Sequence, residues 1–195
     1  MNYLFRMMIP VLTGVLLDLL FGDPRGFPHP VRMMGALIAW LEKIIRSSFP
    51  KSKRGERAGG ILLVLLVATV STGVPLGILY LAYRFCFFLG IALESFFCYQ
   101  ILAARSLQRE SDRVYTALRE EGVESARRAV AMIVGRDTED LDEKGIVKAA
   151  VETVAENTSD GIAAPLCYLF LGGAPLGFFY KSVNTMDSMI GYRNE

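Results

Sequence analysis

GGILLVLLVATVSTGVPLGILYLAYRFCFFLGIALESFFCYQILAARSL, residues 59–107, decides how the rest of the chain is read. This apolar run is more than twice the ~20 residues that one helical membrane crossing requires. Its flanks at 51–57 and 105–113 are both basic. Two crossings return a chain to the side on which it started. The stretch therefore predicts a helical hairpin, 60–81 and 85–104, with its turn near Tyr83 and Arg84. Gly73 and Pro75 are expected to bend the first arm. Glu94 lies inside the second arm, where a carboxylate faces the protein interior and finds a hydrogen-bond partner.

On the N-terminal side, residues 4–21 are apolar but for Arg6 and Asp18. A helix of that length spans about 27 Å. No small-residue cleavage site follows, so this is a membrane anchor rather than a signal peptide. Residues 33–49 are amphipathic, with Met33, Leu37, Leu41, Ile44 and Ile45 on one face and Lys43 and Arg46 on the other. Such a helix is expected to lie along the membrane interface. Residues 42–57 carry six Lys and Arg against two Glu, which assigns this loop to the cytoplasm.

On the C-terminal side, residues 105–158 mix charges of both signs and predict a soluble helical insert. Its helices are expected at 106–121, 123–134 and 142–157, with Gly122 and Gly135 as stops. Ile146, Ala150, Val151 and Val154 would form the buried face of the third. Residues 162–180 are apolar again but interrupted by Gly172, Gly173, Ala174 and Pro175. Each half is about 15 Å long, half a bilayer, so this segment is expected to be broken or re-entrant. The fold class is thus all-α: a polytopic membrane helix bundle over 1–195 with a small cytoplasmic insert. The composition agrees, at 52% hydrophobic residues and a mean hydropathy of +0.36, above ordinary soluble domains. A net charge of +1 implies no nucleic-acid partner. The three cysteines have no CxxC spacing and are expected to be buried packing residues. One histidine excludes a His-rich zinc site.

Four polar strings interrupt this apolar frame. In AENTSDGIAAPL, residues 155–166, Glu156, Asn157, Thr158, Ser159 and Asp160 stand directly against a membrane segment. Glu152, Glu156 and Asp160 recur every four residues and would share a helix face. Carboxylates clustered in that way repel unless a cation joins them, and magnesium uses one or two of them with phosphate oxygens and water. VNTMDS, residues 183–188, places Asn184 and Asp187 three apart, with Lys181 before and Arg193 after, a pattern suited to phosphate charge. FGDPRGFPHPVR, residues 21–32, presents Asp23, His29 and Arg32 on a loop stiffened by three prolines. VGRDT, residues 134–138, suits either a local ion pair or an anion contact. No Walker or GxGxxG loop is present in the sequence.

These strings together, from Asp18 to Gly35, VGRDT, Ala149 to Leu166 and Val183 to Glu195, strongly resemble the adenosylcobinamide-phosphate synthase family. The resemblance covers essentially the whole chain in order. It implies an integral membrane ligase of vitamin B12 biosynthesis in the cell (inner) membrane, with its active face cytoplasmic. The implied reaction joins a carboxyl of adenosylcobyric acid to the amine of (R)-1-aminopropan-2-ol O-phosphate, driven by ATP and Mg²⁺. A carboxylate is a poor electrophile and needs activation by phosphoryl transfer, and neutralising phosphate charge would supply most of the help. Glu156, Asp160 and Asp187 are assigned to Mg²⁺ and phosphates. Arg32, Lys181 and Arg193 would clamp anionic groups, while Asn157, Thr158, Ser159 and Asn184 orient substrate. His29 or Asp23 would take the amine proton. For this to work, 162–180 must return Asn184 and Asp187 to the face that carries Asp160. Family members continue beyond residue 195, so a C-terminally truncated member is expected. A homo-oligomer and docking of other corrinoid-pathway enzymes are further expectations. A small transporter subunit marked by Asp18 and Glu94, and a non-catalytic membrane sensor or scaffold, are the alternatives.

Overall fold

The computed structural model describes residues 3–23, 29–135 and 137–191, with side chains of the first helix described from Met7 onward. All regular structure among them is helical. The order is α1 (Tyr3–Phe21), α2 (Pro30–Ser48), α3 (Lys53–Phe85), α4 (Phe87–Ile101), α5 (Ala104–Thr116), α6 (Val123–Ala131), α7 (Glu143–Thr158) and α8 (Ala164–Ile190). Short π-helical turns, Ala117–Glu121 and Ser159–Ala163, extend α5 and join α7 to α8. Three stretches are long and apolar enough to cross a membrane: Lys53–Phe85, Phe87–Glu121 and Glu143–Ile190. Met7–Phe21 is a shorter apolar helix. The molecule is a membrane helix bundle.

The hairpin expected from 59–107 is present, but its turn falls on Cys86 rather than at Tyr83 and Arg84. Cys86 has extended backbone and links α3 directly to α4. Gly90 opposite lets the Tyr83 ring lie on the α4 backbone, and α3 runs unbroken through Gly73 and Pro75. Beside it, α1 packs on α4 because Gly14 has no side chain. A Cβ there would come within 2.6 Å of Cys98 Cβ. Small residues allow such close backbone approach where lipid removes most of the hydrophobic drive between helices. Val11, Leu79, Cys98, Ile101, Leu169 and Phe178 fill the space between α1, α3, α4 and α8. Cys98 is buried as expected, whereas Cys86 and Cys167 are exposed on the apolar exterior.

The buried face of α2 is Met34, Ile38, Leu41 and Ile45; the last three pack on Leu63 and Val67 of α3 and Met186 of α8, while Met34 joins the core around Val11 and Cys98. Met33 and Ile44, expected on that face, are exposed at 67% and 42%. The helix is apolar on several sides, and its neighbours decide which side is covered. In the insert, Val114, Ala126, Val130, Ile146 and Ala149 form a separate small core. In water each large side chain there contributes about 1.5–3 kcal/mol. Val151 of α7 was expected in this core but is 62% exposed, and Ala149 takes that place.

One apparent span does not cross. Within α8, Gly172 (φ −154°, ψ 27°) and Gly173 (φ 64°, ψ −163°) are non-helical. The arms on either side run back along each other. Tyr168 and Tyr180 rings are 5.0 Å apart, and Leu169 lies against the bare Gly177 backbone. This is the re-entrant hairpin that 172–175 predicted. Its tip rests on Glu94, which accepts a hydrogen bond from the Tyr83 hydroxyl at 2.5 Å. Glu94 is therefore satisfied inside the protein, as a carboxylate at that depth requires.

Candidate functional site

The site forms where four helix ends meet: the C-terminal ends of α1 and α4, the start of α5, and the foot of the re-entrant hairpin. Asp18, 1% exposed, fixes this junction. Its Oδ2 accepts a 2.8 Å hydrogen bond from the Ala104 N–H at the start of α5, a carboxylate on the positive end of a helix. The Tyr99 hydroxyl donates to the Gly22 carbonyl. The Ala103 N–H donates to the Gly161 carbonyl, tying the α4–α5 corner to the π turn at 3.2 Å.

That π turn sets the chemistry. The Ala164 N–H bonds to the Ser159 carbonyl, five residues back. Thr158 and Ser159 still have α-helical backbone angles, so Asp160 stays four residues on from Glu156 and the widening of the helix falls beyond it. Asp160 turns to the second arm, where the Asn184 Nδ2 donates to its Oδ2 at 3.1 Å. The Tyr180 hydroxyl faces the same carboxylate. Residues 24 apart in sequence thus meet at the foot of the hairpin. Lys181, between them, lies within Coulombic reach of both Asp160 and Asp23.

Asp23 is held from two sides. Its Oδ2 accepts from the Ser106 hydroxyl at 3.0 Å, and its backbone N–H donates back to that oxygen at 3.2 Å. His29 Nε2 stands 3.2 Å from Asp23 Oδ1. His29 is also the N-cap of α2, with Nδ1 accepting from the Val31 N–H. A ring whose Nδ1 accepts carries its proton on Nε2, so Nε2–H donates to Asp23. Burial pushes the Asp23 carboxyl upward. The hydrogen bonds from His29 and the Ser106 hydroxyl and the Lys181 charge outweigh it, and the group sits below the usual carboxylate range.

A cavity of about 280 Å³ opens between these elements, lined in part by Ser106, Asn157, Asp160, Lys181 and Asn184. Four of these five stand among the residues singled out from the sequence. Ser106 does not, because nothing local marks a serine on a charged helix as a partner for a residue 83 positions away. The sequence marks Asp18 as a charge inside an apolar run and, in the transporter alternative, as part of an ion path, and Tyr180 only as part of an apolar run.

The other candidates lie outside the cavity lining. Glu156, Thr158 and Ser159 are exposed at the end of α7. Thr158 Oγ1 donates to the Val154 carbonyl. Arg32 is exposed on the first turn of α2, and Asp187 is exposed one turn beyond Asn184. Arg193 and Arg136 fall outside the described residues. The expected magnesium trio does not converge: among the described residues no three His, Cys, Asp or Glu side chains gather as a metal cage. Asp160 is engaged by Asn184 across the hairpin, and Glu156 and Asp187 are exposed. A single carboxylate with nearby amide oxygen still fits magnesium, which completes its shell with phosphate oxygens and water.

Fold and site together define an all-α membrane protein with a polar site at the foot of a re-entrant hairpin. The family described as CobD/Cbib protein has a model matching residues 11–195, and the chain belongs to that family. A "Cobalamin biosynthesis protein CobD" of Geobacter metallireducens is 50% identical over 185 residues, covering 95% of this chain and 57% of that protein. A CobD protein of Clostridium tetani is 45% identical over 188 residues, 96% of this chain and 59% of its own. A "Cobalamin biosynthesis protein CbiB" of Salmonella typhi is 47% identical over 179 residues, 92% and 56% respectively. The chain therefore spans under three fifths of the length of these relatives. No solved structure matches it.

Proposed function

We propose that the chain acts in cobalamin biosynthesis, forming the amide bond between adenosylcobyric acid and (R)-1-aminopropan-2-ol O-phosphate at the cytoplasmic face of the inner membrane. The names of its relatives support the pathway. The observation that carries the reaction is the meeting of Asp160 and Asn184 across the hairpin, with Lys181 reaching toward Asp23. That arrangement offers one cation, two carboxylates and amides to a zwitterionic, phosphorylated amine.

Lys181 holds the phosphate, and Asn157 and Asn184 orient the substrate by hydrogen bonds. Asp160, kept in place by Asn184, is the carboxylate for a magnesium–phosphate group. Mg²⁺, when bound with ATP, neutralises phosphate charge while the corrinoid carboxyl is activated. The pKa of Asp23 is lowered, and a base works best with a pKa near the working pH. It therefore serves as charge partner of the substrate ammonium, steadied by His29 and Ser106. His29 has both ring nitrogens engaged and positions Asp23. Arg32, Glu156 and Asp187, exposed outside the cavity lining, are left to meet the larger substrates.

The test is incubation of purified full chain with ATP, Mg²⁺, adenosylcobyric acid and the aminopropanol phosphate, with mass spectrometry of the corrinoid. Amide product is expected, falling about 100-fold in Asp160→Ala, as misplacement of a positioning group does. Absence of product from well-folded protein would end the proposal.

A further inference from the structure

The cavity is not polar throughout. Besides Lys181 and Asp160 it is lined by Leu107 of α5 and by Ile133, in the turn that follows α6. The Ile133 N–H bonds to the Val130 carbonyl at 3.0 Å. The loop beyond it is braced by Arg127, whose Nε donates to the Leu141 carbonyl and whose own carbonyl accepts from the Thr138 hydroxyl. Thr138 is only 6% exposed. Thr138 and Leu141 are thus tied to α6, and Ile133 sets an apolar side chain against a polar floor. At about 280 Å³ the cavity sits just below the ~300–1,000 Å³ of pockets for drug-sized ligands. It suits a small ligand with a charged end and a short alkyl part, not a corrinoid ring.

We infer that Ile133 and Leu107 form the specificity wall that reads the alkyl portion of an aminoalkyl phosphate and selects a methyl-bearing chain over an unbranched one. This rests on the proposed ligase function and assigns within it the residues that choose the small substrate. A methyl group in an apolar pocket is worth about 10-fold or more in discrimination. The contact comes from the soluble insert, which gives that insert a part in substrate choice.

The experiment compares (R)-1-aminopropan-2-ol O-phosphate with ethanolamine O-phosphate on the full chain in nanodiscs. Dissociation constants are taken by calorimetry without ATP, and kcat/KM with the complete mixture. The wild type is expected to favour the methyl-bearing ligand by about 10-fold in both. In Ile133→Ala and Leu107→Ala the preference falls towards unity, while Met132→Ala, a neighbour that is 80% exposed, leaves it unchanged. Ile133→Val, a milder change that keeps the fold, shifts the preference in the same direction by less. An unchanged preference in Ile133→Ala, Leu107→Ala and Ile133→Val, with amide still formed, overturns the wall and leaves the ligase reading standing. Failure of either phosphate to bind overturns the wall; binding with the expected preference but no amide supports it and counts against the ligase reading.

Discussion

Gly173→Ala is the sharpest perturbation of the hairpin that builds the site. Gly173 has φ 64° and ψ −163°, a region that is essentially glycine's alone and costs other residues about 1–3 kcal/mol. A Cβ there would also land on Glu94 Oε1. Glu94 would have to move and give up the hydrogen bond from Tyr83, a further loss of about 1–2 kcal/mol. Together the change is expected to destabilise the bundle by about 2–5 kcal/mol. Reversible unfolding in mixed micelles measures it. A double-mutant cycle with Glu94→Ala separates the two contributions, because residues in contact fail to add. The cost of Gly173→Ala should shrink when the Glu94 carboxylate is absent, leaving the backbone part. An unfolding free energy within about 0.5 kcal/mol of wild type, the range of an inconsequential surface change, would refute the reasoning. An identical cost with and without Glu94 would refute the steric half alone.

Asn184→Ala removes one of the two groups of the second arm that engage Asp160, leaving Tyr180, and should lower kcat/KM by about 10-fold or more, read in the amide assay, since charge-assisted hydrogen bonds are the strong ones. Asp23 gives a pH signature. Its folded pKa is lowered, so its contribution to stability is complete above the unfolded carboxylate range near ~4 and is lost as pH falls through the lower folded value. Unfolding followed from pH 6 to pH 3 should show that decline, and Asp23→Asn should flatten it. Gly14→Leu should force α1 away from α4, whose Cys98 Cβ would be 2.6 Å from a Cβ at that position. Overpacking of that kind costs about 1–3 kcal/mol, and the loss should appear in the same micelle unfolding experiment.

The parts legible in the sequence were those whose cause is local or compositional. Two glycines before Ala174 and Pro175 cannot continue a helix, and a half-bilayer arm on each side leaves the chain little choice but to turn back. The long apolar run from Gly59 gave the hairpin for the same reason, although the turn moved to Cys86. What escaped was decided by neighbours. Residues 155–160 carry no glycine or proline that would announce the π turn. The extra residue in the turn is stabilised by its bonds to the α4–α5 corner, which no local pattern encodes. Asp18 and Ser106 likewise acquire their roles from partners more than 80 positions away. On α2, Met33, Met34, Leu37, Ile38, Ile44 and Ile45 allow more than one apolar face, and only the position of α3 and Met186 chooses among them.

The two arms of the re-entrant hairpin must stay matched in length. Adding one residue to either arm advances its polar foot by about 1.5 Å and rotates it by about 100°, enough to swing Asn184 away from Asp160. Adding residues to both arms deepens the tip but keeps the feet level. Natural variation in this segment is therefore constrained to occur in pairs, and a lone insertion between residues 164 and 183 should be found only where a second one compensates for it.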